Sequence, residues 1–201
     1  MVKIYAILTG DLVGSRKADI QKWLPILEEN LRYYSNNFDI FRGDSLQVAV
    51  SIEQCIEAIF LIKATIRAIE PLDVRIGLGL GEVSYWDEHI KNSAGEALVR
   101  SGEAFDALDK NLVNVKSPWL EWDEPTNIML NLATELANRW TLNMAQTVAT
   151  QIKNPKANQS ELAKLLKKKY QSQISTELGN ASWQKIKVTI DYCTKELIKR
   201  C

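Results

Sequence analysis

Residues 74–81 read VRIGLGLG, where large apolar side chains alternate with one arginine and three glycines. An alternation with a period of two predicts a β-strand that has one apolar face. Gly77, Gly79 and Gly81 leave the opposite face of this strand without side chains. Such a bare face either receives a closely packed helix or lets a ligand approach the backbone, and the sequence pattern favours the packed helix.

The segments on both sides of this strand predict an α+β fold. Before it, the pattern predicts a buried strand over 2–8, a helix over 20–31, a hairpin of strands 39–42 and 46–50, and a helix over 55–69 that buries only the stem of Lys63. After it come a helix over about 94–109 and a short strand over 111–115. The order β-α-β-β-α-β-α-β is that of a ferredoxin-like fold, an antiparallel sheet with helices on one face.

Beyond Pro118 the chain is predicted to be helical. The apolar spacing indicates helices over 124–138, 143–152, 159–166, 172–178 and 182–200. We therefore predict two domains, one over 1–117 and an all-α one over 118–201. Trp119, Trp122 and Trp140 flank the first of these helices, and we expect them to pack one domain on the other.

Composition narrows the function classes. The chain of 201 residues has no apolar run long enough to cross a membrane. Its first apolar run reaches Thr9-Gly10-Asp11 without the cleavage site of a signal peptide, so we expect a buried strand there. A cytoplasmic protein of bacterial type is therefore expected. Three widely spaced cysteines form neither a disulfide framework nor a zinc set. The single histidine, His89, excludes mechanisms that require two.

The formal net charge of zero hides an asymmetry. Residues 1–117 hold 13 basic against 17 acidic residues, whereas residues 139–201 hold 12 basic against 4 acidic ones. A basic segment favours contact with nucleic acid, although a solvated lysine-rich helix face has the same composition.

Two carboxylates are predicted to meet at one end of the sheet. Asp11 follows the first strand and Asp44 lies in the hairpin turn, and each comes directly after a glycine, Gly10 or Gly43. With no histidine or lysine beside them, two carboxylates repel each other and favour a divalent cation between them. The alternative is that Gly-Asp serves only as turn chemistry.

Three segments resemble the SatD family: LTGDLVGSRK (8–17), FRGDSLQVAV (41–50) and DVRIGLGLGE (73–82). More distantly they are similar to class III nucleotidyl cyclases and GGDEF-type cyclases, and the resemblance covers about residues 3–110. It implies a nucleotidyl cyclase-like fold, Asp11 and Asp44 as metal ligands, and both Mg²⁺ and a nucleotide as candidate cofactors. The ligand contacts it implies are Gly10, Gly43, Ser45 and Gly79.

This chain departs from the family pattern at the positions that carry catalysis. Ser45 follows Asp44 where the family often has an acidic residue, and Val99 and Glu103 stand where the cyclase helix carries Asn and Arg. Arg100 is one position away and is rotated by about 100° on a helix. Because a cyclase needs donors that neutralise charge on the phosphates, the sequence favours a sensor over an enzyme and assigns no catalytic residue.

Residues of about 158–180 have the pattern of a helix-turn-helix. Asn158 and Glu161 form a capping box that begins the first helix. The apolar residues predicted to pack the two helices together are Leu162, Ala163, Leu166, Ile174 and Leu178. The segment resembles the DNA-binding motif of many bacterial regulators, except that Lys167 replaces the turn glycine and the turn is one residue longer. A plain helical bundle with a lysine-rich loop is the alternative.

The helix-turn-helix interpretation predicts a set of DNA contacts. Three lysines would contact phosphates, and short polar side chains on the second helix would reach base edges in the major groove. These residues are Lys167, Lys168, Lys169, Gln171, Ser172, Gln173, Ser175 and Thr176. The last helix carries a heptad seam over 183–197 that either fills the core or joins two copies in a homodimer.

The sequence therefore predicts a DNA-binding transcription regulator whose first domain senses a nucleotide or phosphorylated ligand, with Mg²⁺ as a candidate cofactor. The first alternative is a metal-dependent nucleotide-processing enzyme that uses Asp11 and Asp44. The second is a protein-interaction module in which both sites are degenerate.

Overall fold

The computed structural model describes residues 3–201, which form an α+β fold with one mixed five-stranded sheet and eight α-helices. The strands are β1 (Tyr5–Val13), β2 (Phe38–Phe41), β3 (Ser45–Val50), β4 (Asp73–Gly81) and β5 (Val113–Lys116). The helices are α1 (Ile20–Tyr34), α2 (Cys55–Arg67), α3 (Glu96–Asp106), α4 (Leu120–Ala137), α5 (Leu142–Lys153), α6 (Gln159–Leu165), α7 (Gln171–Asn180) and α8 (Trp183–Ile198).

The sheet has the order β2-β3-β1-β4-β5. Strand β1 is central and pairs antiparallel with β3 and β4, whereas β5 runs parallel to β4. The prediction of a purely antiparallel sheet was wrong in this one pairing. A helical crossover, here α3, is the connection that joins two parallel neighbours.

Helices cover both faces of the sheet, not one as predicted. Ile76, Leu78 and Leu80 belong to the main core with α1 and α2, while the glycine face of β4 receives α3. A Cβ at Gly79 would overlap the backbone of Ser101. The packed-helix interpretation of the three glycines is therefore confirmed, and Gly79 is not open to a ligand.

Strand β1 extends further than predicted. Leu12 is buried in the main core, and the strand continues past its predicted end to Val13. The predicted start, Val2, lies outside the described residues. As a consequence, Asp11 lies within the strand, opposite Ser45 on β3 and Arg75 on β4.

Helix α2 is buried on almost every side, since the sheet covers one face and α5 and α8 cover others. Lys63 is 1% exposed, so the prediction that only its stem is buried was wrong. Its ammonium donates to Asp73 at 2.8 Å, and burial lowers the pKa of Lys63. Arg67 also donates to Asp73 and to the carbonyl of Trp140, which ties the sheet to the helical segment.

One apolar core extends from the sheet through α2 to α4, α5 and α8. Trp122 and Trp140 lie in it, and their indole N–H groups donate to the carbonyls of Cys193 and Ala181. The heptad seam of α8 also lies in this core, so the first of its two predicted roles is confirmed. Among residues 3–201, no helix is both long and apolar enough to cross a membrane.

Candidate functional site

Arg75 holds the Asp11 carboxylate. The two residues are cross-strand neighbours, and Nε and Nη2 of Arg75 donate to Oδ1 and Oδ2 of Asp11 at 2.8 and 2.5 Å. The guanidinium also lies over the ring of Phe105 on α3. This bidentate hydrogen bond raises the pKa of Arg75, and the nearby charge of Asp44 adds to the effect.

Asp44 lies at the same end of the sheet, in the turn between β2 and β3. Arg42 and Gly43 have positive φ values of 52° and 91°, the left-handed conformation that a tight hairpin turn requires. The carbonyl of Asp44 accepts from the backbone N–H of Leu12 at 3.1 Å. Its carboxylate accepts from the Ser15 hydroxyl at 2.5 Å, which joins the turn to the segment after β1.

These side chains do not fit a divalent cation as they stand. Both oxygens of Asp11 accept from Arg75, a counter-charge that the sequence argument, which considered only histidine and lysine, did not include. No cluster of three or more metal-binding side chains exists among residues 3–201. The guanidinium of Arg75 provides the positive charge that a metal ion would otherwise provide.

A cavity of about 270 Å³ opens beside Asp44. It is lined by Ser15, Arg16, Ile20, Trp23, Arg42, Gly43 and Asp44. Trp23 is only 2% exposed, and its indole Nε1 has no hydrogen-bond partner. Arg16 and Arg42 are exposed, and neither forms an ion pair within the described part of the chain. Two arginines without an ion pair suit an anionic ligand such as a phosphate.

Sequence reasoning missed Arg16, Trp23 and Arg42. Both arginines lie inside the segments that carry the family resemblance, Arg16 in GSRK and Arg42 in FRGD. Their charge next to the Gly-Asp turn was the signal that could have identified them. Trp23 gave no such signal, because its spacing on α1 only indicated a core residue.

The four predicted ligand contacts have different surroundings. Gly43 is exposed and lines the cavity. Ser45 is half-buried opposite Asp11 and does not line the cavity. Gly10 is buried, and a Cβ there would press on the backbone of Arg75, so Gly10 is closed to a ligand like Gly79.

The charged side chains of α3 are satisfied within the chain. Arg100 pairs with Glu96 at 2.8 Å and donates to the carbonyl of Leu80, near the opposite end of β4 from Arg75. Glu103 pairs with Lys116 at 2.7 Å, and Val99 is exposed. Helix α3 therefore directs no positive charge towards Asp11 and Asp44.

Helices α6 and α7 form a unit with a small core of its own. Leu162, Ala163 and Ile174 are buried together, and Leu166 and Leu178 pack against them, as the sequence predicted. Lys167 adopts a left-handed φ of 52° at the turn. The N–H of Lys168 donates to the carbonyl of Ala163 and that of Lys167 to the carbonyl of Lys164, the Schellman pattern in which glycine is usual.

Most of the predicted DNA contacts are accessible. Lys167, Lys169 and the five polar residues predicted on α7 are exposed. Lys168 is less accessible, since its side chain is only 12% exposed. Its ammonium donates to both carboxylate oxygens of Glu177 at 2.5 and 2.6 Å. Glu177 also accepts from the Thr147 hydroxyl, so Lys168 ties α7 towards α5 and is not free to contact phosphate.

A scan against protein-family models finds no match for this chain, and a search of curated proteins finds no significant match.

Proposed function

We propose that this protein is a DNA-binding regulator, in which α6 and α7 act as a helix-turn-helix and the sheet region binds a phosphorylated small molecule. The observation that carries the proposal is the polar outer face of α7. That face is exposed along its length on a two-helix unit that has its own core and a closed turn. Such a helix can enter a major groove without rearranging the rest of the chain.

The charge of the surrounding segment supports duplex DNA as the partner. Residues 139–201 carry 12 basic and 4 acidic residues, and Lys164, Lys167 and Lys169 lie exposed on or beside the turn. Lysines that neutralise phosphates release counterions, which makes binding strongly dependent on salt.

Salt titration of DNA binding tests this proposal. We expect duplex binding at about 50 mM salt, where non-specific affinity is high. The double variant Lys167→Ala/Lys169→Ala should lower the log–log salt slope by about two, at ~0.9 per phosphate contact. Lys22→Ala/Lys110→Ala removes two exposed lysines outside the helical segment and should leave the slope unchanged.

A substitution on α7 separates sequence recognition from charge. Gln173→Ala should change the preference at one base pair by about 1–3 kcal/mol without changing the salt slope. Absence of binding to duplex DNA at low salt would contradict the regulator proposal and would favour the protein-interaction module.

The arrangement of the first four strands supports a ferredoxin-like, cyclase-like fold of the SatD type. In chain order, β1-α1-β2-β3-α2-β4 gives the spatial order β2-β3-β1-β4, with β1 between two antiparallel neighbours. This order is the one expected of a split βαβ fold, in which α3 and β5 would be additions.

The cavity beside Asp44 is the proposed phosphate site. Arg16 and Arg42 supply positive charge there. These groups can neutralise a phosphate without a metal ion, so we propose binding that does not depend on Mg²⁺. A thermal-shift screen of nucleotides should show stabilisation that is equal with Mg²⁺ and with EDTA and is lost in Arg16→Gln/Arg42→Gln.

We propose sensing over catalysis because α3 offers no donor to developing charge. Arg100 is held by Glu96 and the carbonyl of Leu80, and Glu103 is an acceptor that is paired with Lys116. We expect no cyclic nucleotide from ATP or GTP with Mg²⁺ or Mn²⁺. Turnover that disappears in Asp11→Ala would instead favour the nucleotide-processing enzyme.

A further inference from the structure

A second cavity, of about 420 Å³, lies between α2, α5, α7 and α8. Its apolar walls include Ile152, Leu178, Trp183 and Ile190. The volume is within the range of small-molecule sites, which combine apolar walls with a few polar groups. The cavity is separate from the one beside Asp44 and shares no lining residue with it.

Glu57 brings a carboxylate that has no ion-pair partner to this cavity. Its side chain is half-buried, and the Tyr34 hydroxyl donates to it at 3.3 Å. Within residues 3–201 it forms no ion pair, because Lys187 pairs with Asp191 at 2.7 Å on the same wall. Burial raises the pKa of Glu57, and the hydrogen bond from Tyr34 and the nearby charge of Lys187 offset only part of this effect.

We propose that this cavity binds a small organic monocation, with its ammonium on Glu57 and an apolar body against Trp183. A half-buried carboxylate is costly until a cation pairs with it, so a positive ligand gains more than a neutral one. Trp183 is 7% exposed and lines the cavity together with Ile190, which gives an apolar body a surface to contact.

The position of the cavity suggests a consequence for α7. Ser175, Leu178 and Gly179 of α7 line it together with Glu57 of the central helix α2. A ligand in the cavity would hold α7 at a fixed distance from α2. Any effect on DNA binding rests on the proposed function, whereas ligand binding itself does not.

A charge series of one molecular shape tests the proposal. Phenethylamine, 2-phenylethanol and phenylacetate carry a positive, zero and negative charge on similar bodies, and their binding to the full chain can be followed by calorimetry. We expect phenethylamine to bind at least about tenfold more tightly than 2-phenylethanol, and phenylacetate to bind most weakly. Equal binding of the three compounds would overturn the proposal.

Two variants locate the site. Glu57→Gln keeps an acceptor for Tyr34, and it should remove the preference for the amine while leaving 2-phenylethanol unchanged. Glu124→Gln neutralises an exposed carboxylate on α4 and should change nothing. An amine preference that survives in Glu57→Gln contradicts the proposal. If the protein prefers the amine but does not bind DNA, only the regulator function is contradicted. If it binds DNA but does not prefer the amine, only the proposed cavity site is contradicted.

Discussion

Arg75 decides what the two aspartates at the end of the sheet can bind. Arg75 donates to both oxygens of Asp11, so the negative charge of Asp11 is already balanced within the chain. We expect no Mg²⁺-dependent change in the unfolding temperature of the wild type. Arg75→Gln leaves Asp11 without its ion-pair partner and should become more stable when Mg²⁺ is added.

Arg139→Gln removes an exposed arginine on the helical side and controls for the loss of charge. Its unfolding temperature should not respond to Mg²⁺. Mg²⁺ stabilisation of the wild type as large as that of Arg75→Gln would show that the ion pair does not exclude a metal ion.

Glu57 makes a pH-dependent contribution to stability. Its folded pKa is raised, chiefly by burial, while the unfolded value is ordinary, about 4.3. The native state therefore binds the proton more tightly, and this contribution is present at low pH and is lost as pH rises through the folded pKa. The free energy of unfolding of the wild type, minus that of Glu57→Gln, should fall as the pH rises above the unfolded pKa. Urea unfolding across this range measures the difference, and a flat difference contradicts the assignment.

The candidate site shows how far residue patterns reach. The positions of Asp11 and Asp44 at one end of the sheet followed from strand order and turn chemistry. The ion pair with Arg75 did not, because cross-strand partners depend on the pairing register of β1 and β4. The spacing of residues within one segment does not determine how β1 and β4 pair.

At the scale of elements, the closest packing is that of α3 on β4. A Cβ at Gly79 would overlap backbone atoms of Ser101 and Ala97, so Gly79→Ala must push the helix off the sheet. We expect a loss of about 3 kcal/mol or more in the free energy of unfolding. Gly102 on the same helix has nothing within 4 Å of the added atom, and Gly102→Ala should gain up to about 1 kcal/mol. Denaturant unfolding compares the two, and equal effects would contradict close packing.

The turn between α6 and α7 stores backbone strain at one lysine. Lys167 has a φ of 52°, which an L-residue adopts at a cost of about 1 kcal/mol and glycine adopts freely. Lys167→Gly should therefore raise the free energy of unfolding by up to about 1 kcal/mol. Lys164→Gly removes the same charge within α6, where glycine costs about 1 kcal/mol, and should lower it. Urea unfolding of both variants checks the opposite signs, and destabilisation by Lys167→Gly would contradict the turn geometry.

The elements themselves followed from the sequence better than their surroundings did. The order of strands and helices was predicted because period-two and period-3.6 patterns are local. The packing of α5 and α8 over α2 was not predicted, because an apolar stripe indicates one buried face of a helix and does not indicate a second layer. Lys63 shows the difference, since a lysine that usually reaches water is paired with Asp73 under that layer.

At the scale of the whole molecule, the helical segment completes the core of the sheet region. Helices α5 and α8 cover α2, and Arg67 bonds the carbonyl of Trp140 across the predicted boundary at 117/118. A fragment of residues 1–117 would therefore expose the outer face of α2 and the buried pair of Lys63 and Asp73. Exposure of the apolar face of α2 removes its hydrophobic contribution to stability, whereas Lys63 and Asp73 remain paired with each other.

Cutting the chain at the predicted boundary tests this dependence. We expect the 1–117 fragment to bind a hydrophobic dye, to lose near-UV circular dichroism and to unfold without a cooperative transition, since collapse without specific packing has these properties. Adding the 118–201 fragment should restore cooperative unfolding, because the main core is shared between the two. A 1–117 fragment that unfolds cooperatively at the temperature of the intact chain would instead establish two independent domains, and α2 would then need no cover from α5 and α8.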